Sequence, residues 1–126
     1  MWTIRALPRM LAASVAALLA SSVVQAQEPP RSFVASPDIY KVLAQNEQFK
    51  VIAVTWQPGQ KDVLHSHPAS AVYYLTDCSI RVHQPDGSYR DFQPPAGYAV
   101  VQAPIAAHML ENIGATECRI VMFEPA

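Results

Sequence analysis

From Phe49 onward, short runs of β-branched and aromatic residues alternate with turn-forming residues. No stretch carries the i, i+3, i+4 apolar spacing of a long amphipathic helix. Phe49 to Trp56 reads as a strand, followed by a Gln57-Pro58-Gly59-Gln60 turn. Val63 to His67 is a short extended piece stopped by Pro68, and Ala71 to Leu75 is a buried strand. Ser79 to His83 alternates polar and apolar, and Tyr89 to Gln93 returns from it. Pro85-Asp86-Gly87-Ser88 between them has hairpin-turn chemistry: proline presets φ and glycine accepts positive φ. After a Pro94-to-Gly97 turn, strands are expected at Tyr98–Gln102, His108–Asn112 and Cys118–Phe123. Seven or eight short strands at this spacing predict an all-β domain, either an antiparallel sandwich or a closed barrel.

Ahead of this domain, Gln27 to Arg31 is polar, holds two prolines and reads as a disordered lead-in. Ser36-Pro37-Asp38 opens either a short helical turn or a short edge strand through Leu43. The division is a lead-in over 27–46 and a β domain over 47–126.

The first 26 residues have a different pattern. Arg5 and Arg9 precede a short apolar run from Met10 to Ala20, and Val24-Gln25-Ala26 has small residues at the right interval for cleavage. This is the pattern of a secretory signal peptide, cut after Ala26, and it implies a periplasmic or secreted protein. The run is too short and too interrupted by serine for a comfortable membrane span. Removal of residues 1–26 takes two of nine Lys/Arg and none of ten Asp/Glu, so the remaining 100 residues carry 7 − 10 = −3. No basic patch survives, which argues against nucleic acid as a partner. Two cysteines remain, Cys78 and Cys118, and export would place them where paired thiols form a disulfide.

Candidate chemistry lies in the histidines: His65, His67, His83 and His108. On a strand, residues i and i+2 face the same way, so His65 and His67 present two imidazoles about 6–7 Å apart along one face. His108 lies in a later strand segment, with Asn112 on its face. His83 faces away from Ile80 and Val82 and reads as a rim residue.

The spacing around these histidines resembles the two motifs of a small single-domain cupin. The family's first motif is Gly, five residues, His-x-His, three or four residues, Glu, six residues, Gly. Here it is matched by Gly59, His65-Ser66-His67, Ala71 and Cys78. The second is Gly, five residues, Pro-x-Gly, two residues, His, three residues, Asn, matched by Gly97, Ala103-Pro104-Ile105, His108 and Asn112. The resemblance runs from about Phe49 to Glu124. It implies a jelly-roll β-barrel holding a divalent transition metal (Fe, Mn, Zn, Ni or Cu). Carried over residue by residue, the ligands are His65, His67 and His108. The glutamate position holds Ala71, which binds no metal.

A three-His site is similar to those of some cupin dioxygenases. If this site is catalytic, the implied reaction is metal-dependent oxidation or isomerisation of a small organic molecule. The alternative is a barrel that binds a ligand without chemistry, or a metal-free structural barrel. Gln102 offers a neutral oxygen near the site, while Glu111 should point away by parity. Tyr73 and Leu75 share the parity of Ala71 and are expected to face the cavity, so Tyr73, Gln102 and Asn112 form the expected pocket. Tyr74 should then face outward. Trp56 reads as core or subunit contact, and Asp62, Asp77, Asp86 and Asp91 as turn or surface residues. Open sheet edges in so small a domain lead us to expect a homodimer.

Overall fold

A computed structural model describes residues 16–126. Only part of the expected signal peptide lies within them: residues 16–26 form no regular element, with Leu18, Leu19, Val23 and Val24 exposed. Among the described residues no helix is long and apolar enough to cross a membrane.

Nine strands and one helical turn follow among the described residues: α1 (Ser32–Ala35), β1 (Tyr40–Gln45), β2 (Phe49–Trp56), β3 (His65–His67), β4 (Ser70–Tyr74), β5 (Ile80–His83), β6 (Tyr89–Phe92), β7 (Ala99–Gln102), β8 (Ile105–Asn112) and β9 (Cys118–Pro125). They form two antiparallel sheets, ordered β1-β2-β9-β4-β7 and β3-β8-β5-β6. The all-β expectation holds, but no hydrogen-bonded ladder joins the sheets into a closed barrel. The apolar core lies between them, with Ile52, Val54, Trp56, Ile120 and Met122 from one sheet and Ile80, Val82 and Leu110 from the other. At the β5–β6 hairpin, Gly87 has φ 87°, as the turn chemistry predicts.

The lead-in differs from expectation at its end. Ser66 donates its backbone N–H to the Pro30 carbonyl and its hydroxyl to the Pro29 carbonyl, so the chain before α1 is fixed against β3. Of the two structures expected from Ser36 onward, the edge strand forms, as β1, which brings Tyr40 into the core; the helical turn α1 lies before that segment, at Ser32–Ala35.

Cys78 and Cys118 form the expected disulfide, joining the link after β4 to the first residue of β9. Both sulfurs lie in the core.

Candidate metal centre

The site begins with strand register. His65 stands directly opposite His108 across β3 and β8, and directly opposed residues share a face. A shift in the ladder between His65 and His67 then sets His67 against Ile105. All three histidines are buried. Their rings stand 4.7 Å (His65–His67), 4.8 Å (His65–His108) and 5.2 Å (His67–His108) apart, centroid to centroid. One nitrogen from each lies within 4.8 Å of the others, close enough to hold a metal ion.

Two of the rings are oriented from behind. His65 Nδ1 lies 2.6 Å from the Val63 carbonyl and donates to it, so its Nε2 carries the lone pair. His67 Nδ1 lies 2.7 Å from Glu124 Oε1 and donates to that carboxylate, which likewise frees Nε2. A ring N–H held by a carboxylate or carbonyl is the usual support of a ligating histidine. His108 Nε2 is buried and has no hydrogen-bond partner. A buried ring nitrogen with no partner is costly, and in the tautomer with its proton on Nδ1 a cation would satisfy it. The residues therefore fit a divalent metal.

Electrostatics keep the site ready for a cation. Burial, with His65 and His67 nearby, pushes the His108 imidazole down to about 3. Burial also lowers His65, against the opposing pull of Asp62 and the Val63 carbonyl. Neutral imidazoles are the metal-binding form.

Behind His65 lies a residue read from the sequence as a turn or surface acid. Asp62 is buried, because Gln60 to Asp62 runs alongside β8 through backbone bonds to Leu110 and Asn112. Its carboxylate accepts from the Tyr40 hydroxyl (2.7 Å), the Trp56 indole (3.2 Å) and the Leu110 N–H (2.7 Å). Burial pushes the Asp62 carboxyl up, while His65 and these three donors pull it back. Tyr40 is raised well above the usual phenol range, by burial first and then by Asp62. Tyr40, Asp62 and Glu124 are the site residues that sequence reasoning missed. Only Glu124 left a signal: it shares strand parity with Cys118, Ile120 and Met122, all of which are buried.

The expected pocket residues are placed differently from one another. Gln102 lines the cavity beside His67 and His108 and donates to the Ser70 hydroxyl. Asn112 is buried but lies outside the cavity lining; its amide donates to the Trp56 and Thr116 carbonyls and accepts from the Gly114 N–H, fixing the β8–β9 turn. Tyr73 is on the outer face, 44% exposed, as is Leu75. The inward residues of β4 are Ser70, Val72 and Tyr74. The parity expectation was therefore off by one: Val72 and Tyr74 line the cavity. The four-residue form of the motif spacing places the glutamate position at Val72, which also offers no ligand atom. Burial, with Tyr98 nearby, pushes the Tyr74 phenol up to about 12. His83 and Glu111 are partly exposed on the opposite face of their sheet, 3.5 Å apart, as expected.

Two facing antiparallel sheets with a histidine trio on their inner surface make a small cupin-like fold. No family model and no curated relative matches the sequence. Solved structures do. The fold is similar to a cupin domain from Bordetella pertussis, at 23% identity and TM-score 0.63, over 79% of this chain and 98% of that one. It is also similar to a double-stranded β-helix protein from Klebsiella pneumoniae (21%, TM-score 0.53, 70% and 83% of the chains). A third likeness is to the polyketide cyclase RemF from Streptomyces resistomycificus (19%, TM-score 0.54, 68% and 63%). At these identities the likeness speaks for the fold.

Proposed function

We propose that this is an exported small cupin that holds one divalent transition metal through His65, His67 and His108 and admits a small organic ligand beside it. The observation that carries the reading is the buried, unpartnered Nε2 of His108 beside two histidines whose other nitrogens are already committed. Imidazole donors suit Fe, Mn, Zn, Ni or Cu, and three of them leave coordination positions open. Bound there, such an ion supplies a Lewis acid or a centre for oxygen chemistry. The chain's own part is to keep His65 and His108 neutral, to aim all three imidazoles, and to surround them with apolar walls. The Cys78–Cys118 disulfide supports export to an oxidising compartment, periplasmic or extracellular.

The cavity is small, about 70 Å³, and no Asp or Glu lines it. The titrating groups that do line it are His67, His108, Tyr40 and Tyr74, so the lining supports ligand binding and leaves proton transfer to imidazole or phenol. Exposed apolar residues on the outer face of the larger sheet, Tyr73, Val101 and Phe123, support a homodimer, which sedimentation at working concentration tests.

The deciding experiment is elemental analysis of tag-free protein beside the triple variant His65→Ala/His67→Ala/His108→Ala. We expect close to one equivalent of metal in the parent and none in a variant that keeps its β circular dichroism and its disulfide. A parent that stays metal-free after reconstitution overturns the reading.

A further inference from the structure

Arg90 is unlike the other charged residues of its sheet. It stands opposite Val82 across β5–β6, and Val82 stands opposite Leu110 across β5–β8. Directly opposed residues share a face. Val82 and Leu110 are core residues, so register turns Arg90 toward the cavity, which it lines. Its guanidinium lies over the Phe92 ring, 5.5 Å from the centroid. Its neighbour Arg81, on the outer face, is held by Asp91 through two bonds of 2.8 and 2.9 Å. Arg90 has no carboxylate within ion-pair distance among the described residues.

The cavity is thus lined both by Arg90 and by two members of the histidine trio, His67 and His108. It has no anion of its own, since Asp62 and Glu124 stand behind the histidines. Arg90 is solvent-exposed and unpaired at the cavity wall, and with an ion on the trio it places two positive centres about one small, largely apolar space, where an anion gains from both. A volume of about 70 Å³ is well under the roughly 300–1,000 Å³ of sites that take drug-sized ligands, so the anion has few atoms. The walls are mainly apolar, with Val72, Val82, Ile105 and Met122 among them. They would leave most oxygens of a phosphate unpaired. A carboxylate has two oxygens, matching one guanidinium fork, and a short apolar remainder suits the walls.

We propose that the ligand of this site is a small monocarboxylate, of acetate to pyruvate size, bound through its carboxylate by Arg90. The assignment rests on the metal-holding reading for its second positive centre only.

The test uses tag-free protein loaded with Co(II), with cobalt measured on every sample. Acetate, pyruvate, acetamide and inorganic phosphate are titrated at fixed ionic strength, followed by the visible cobalt spectrum and by calorimetry. Acetate should bind the parent at least about tenfold more tightly than neutral acetamide, the range of a charge-assisted hydrogen bond. Arg90→Met should weaken acetate by about 10–100-fold and leave acetamide and cobalt content unchanged. Arg90→Lys should fall between, and Arg81→Met should match the parent. Equal acetate affinity in the parent and in cobalt-loaded Arg90→Met overturns the proposal, and so does phosphate binding more tightly than acetate. A parent that takes up no cobalt refutes the metal reading separately. The calorimetric titration of those same metal-free samples then decides for Arg90: acetate binding that Arg90→Met abolishes upholds the assignment, and its absence overturns it.

Discussion

The sandwich has two seams where its sheets do not hydrogen-bond to one another, and the chain treats them differently. Between edge strands β1 and β3 the seam is filled. α1 lies there, Arg31 bridges to Ser66, and the Pro29 and Pro30 carbonyls take both donors of that serine. Arg31 also comes within 3.8 Å of the buried Glu124 carboxylate. Between edge strands β6 and β7 no ladder forms, and each contributes a polar side chain to the cavity wall, Arg90 and Gln102. The polar support of the histidines is concentrated on the filled side, and the apolar cavity reaches the other. A small domain can build a rigid polar site only where its backbone and carboxylates are already paired, because an unpaired buried group costs more than a paired one returns.

The largest effect should come from breaking the filled side. Asp62→Ala strands the Tyr40 hydroxyl, the Trp56 indole and the Leu110 N–H in the core, and should cost about 3–5 kcal/mol in a urea titration. A loss under about 1 kcal/mol would show that Asp62 is not the hub of that side. Reducing the disulfide frees a 40-residue loop and should cost about 3–4 kcal/mol by chain entropy. An unchanged urea midpoint in dithiothreitol would refute this.

Acid should also act on the filled side. The metal-free fold holds His108 near 3 and His65 below its ordinary value, whereas the unfolded chain protonates both near 6.5. Between those values the unfolded state binds more protons. The stability present above about pH 6.5 should therefore fall as pH drops toward 3. A flat urea midpoint over that range would contradict the burial of neutral imidazoles. Glu124→Gln keeps an acceptor beside His67 but removes its charge, and metal affinity should drop about 10–100-fold in a chelator competition. The smallest effect is expected at Tyr73→Ser: Tyr73 lies on the outer face, so metal content and metal affinity should not change. A loss of metal there would put β4 back in the opposite parity.

The histidine trio and the disulfide were legible because each rests on spacing or count, which a chain carries openly. Parity in β4 was not. Pro68 and Ala69 separate β3 from β4, so the facing of His67 cannot be counted through to Val72. Within Ser70-Ala71-Val72-Tyr73-Tyr74-Leu75 both alternating sets hold apolar or aromatic residues, so the pattern favours neither face. Asp62 was illegible for another reason. It sits in a loop, and only the distant strand β8 makes it buried. Tyr40 likewise enters the core from a segment that reads as a lead-in. Glu124 could have been found, since a lone acid sharing parity with three buried residues of a terminal strand is either an error of strand assignment or a group with a partner.

The disulfide has a consequence for the far end of its strand. β9 is the middle strand of the larger sheet, and a slip of one residue would turn every side chain along it to the opposite face. Cys118 begins that strand and Glu124 lies on the same side six residues on (124 − 118). A covalent bond at one end therefore acts as a register pin for a hydrogen bond at the other, where Glu124 holds His67. Oxidation of two thiols at one end of the strand thereby helps fix the alignment of a histidine at the other, and thiol chemistry and the set of the histidine trio become linked properties of a single strand.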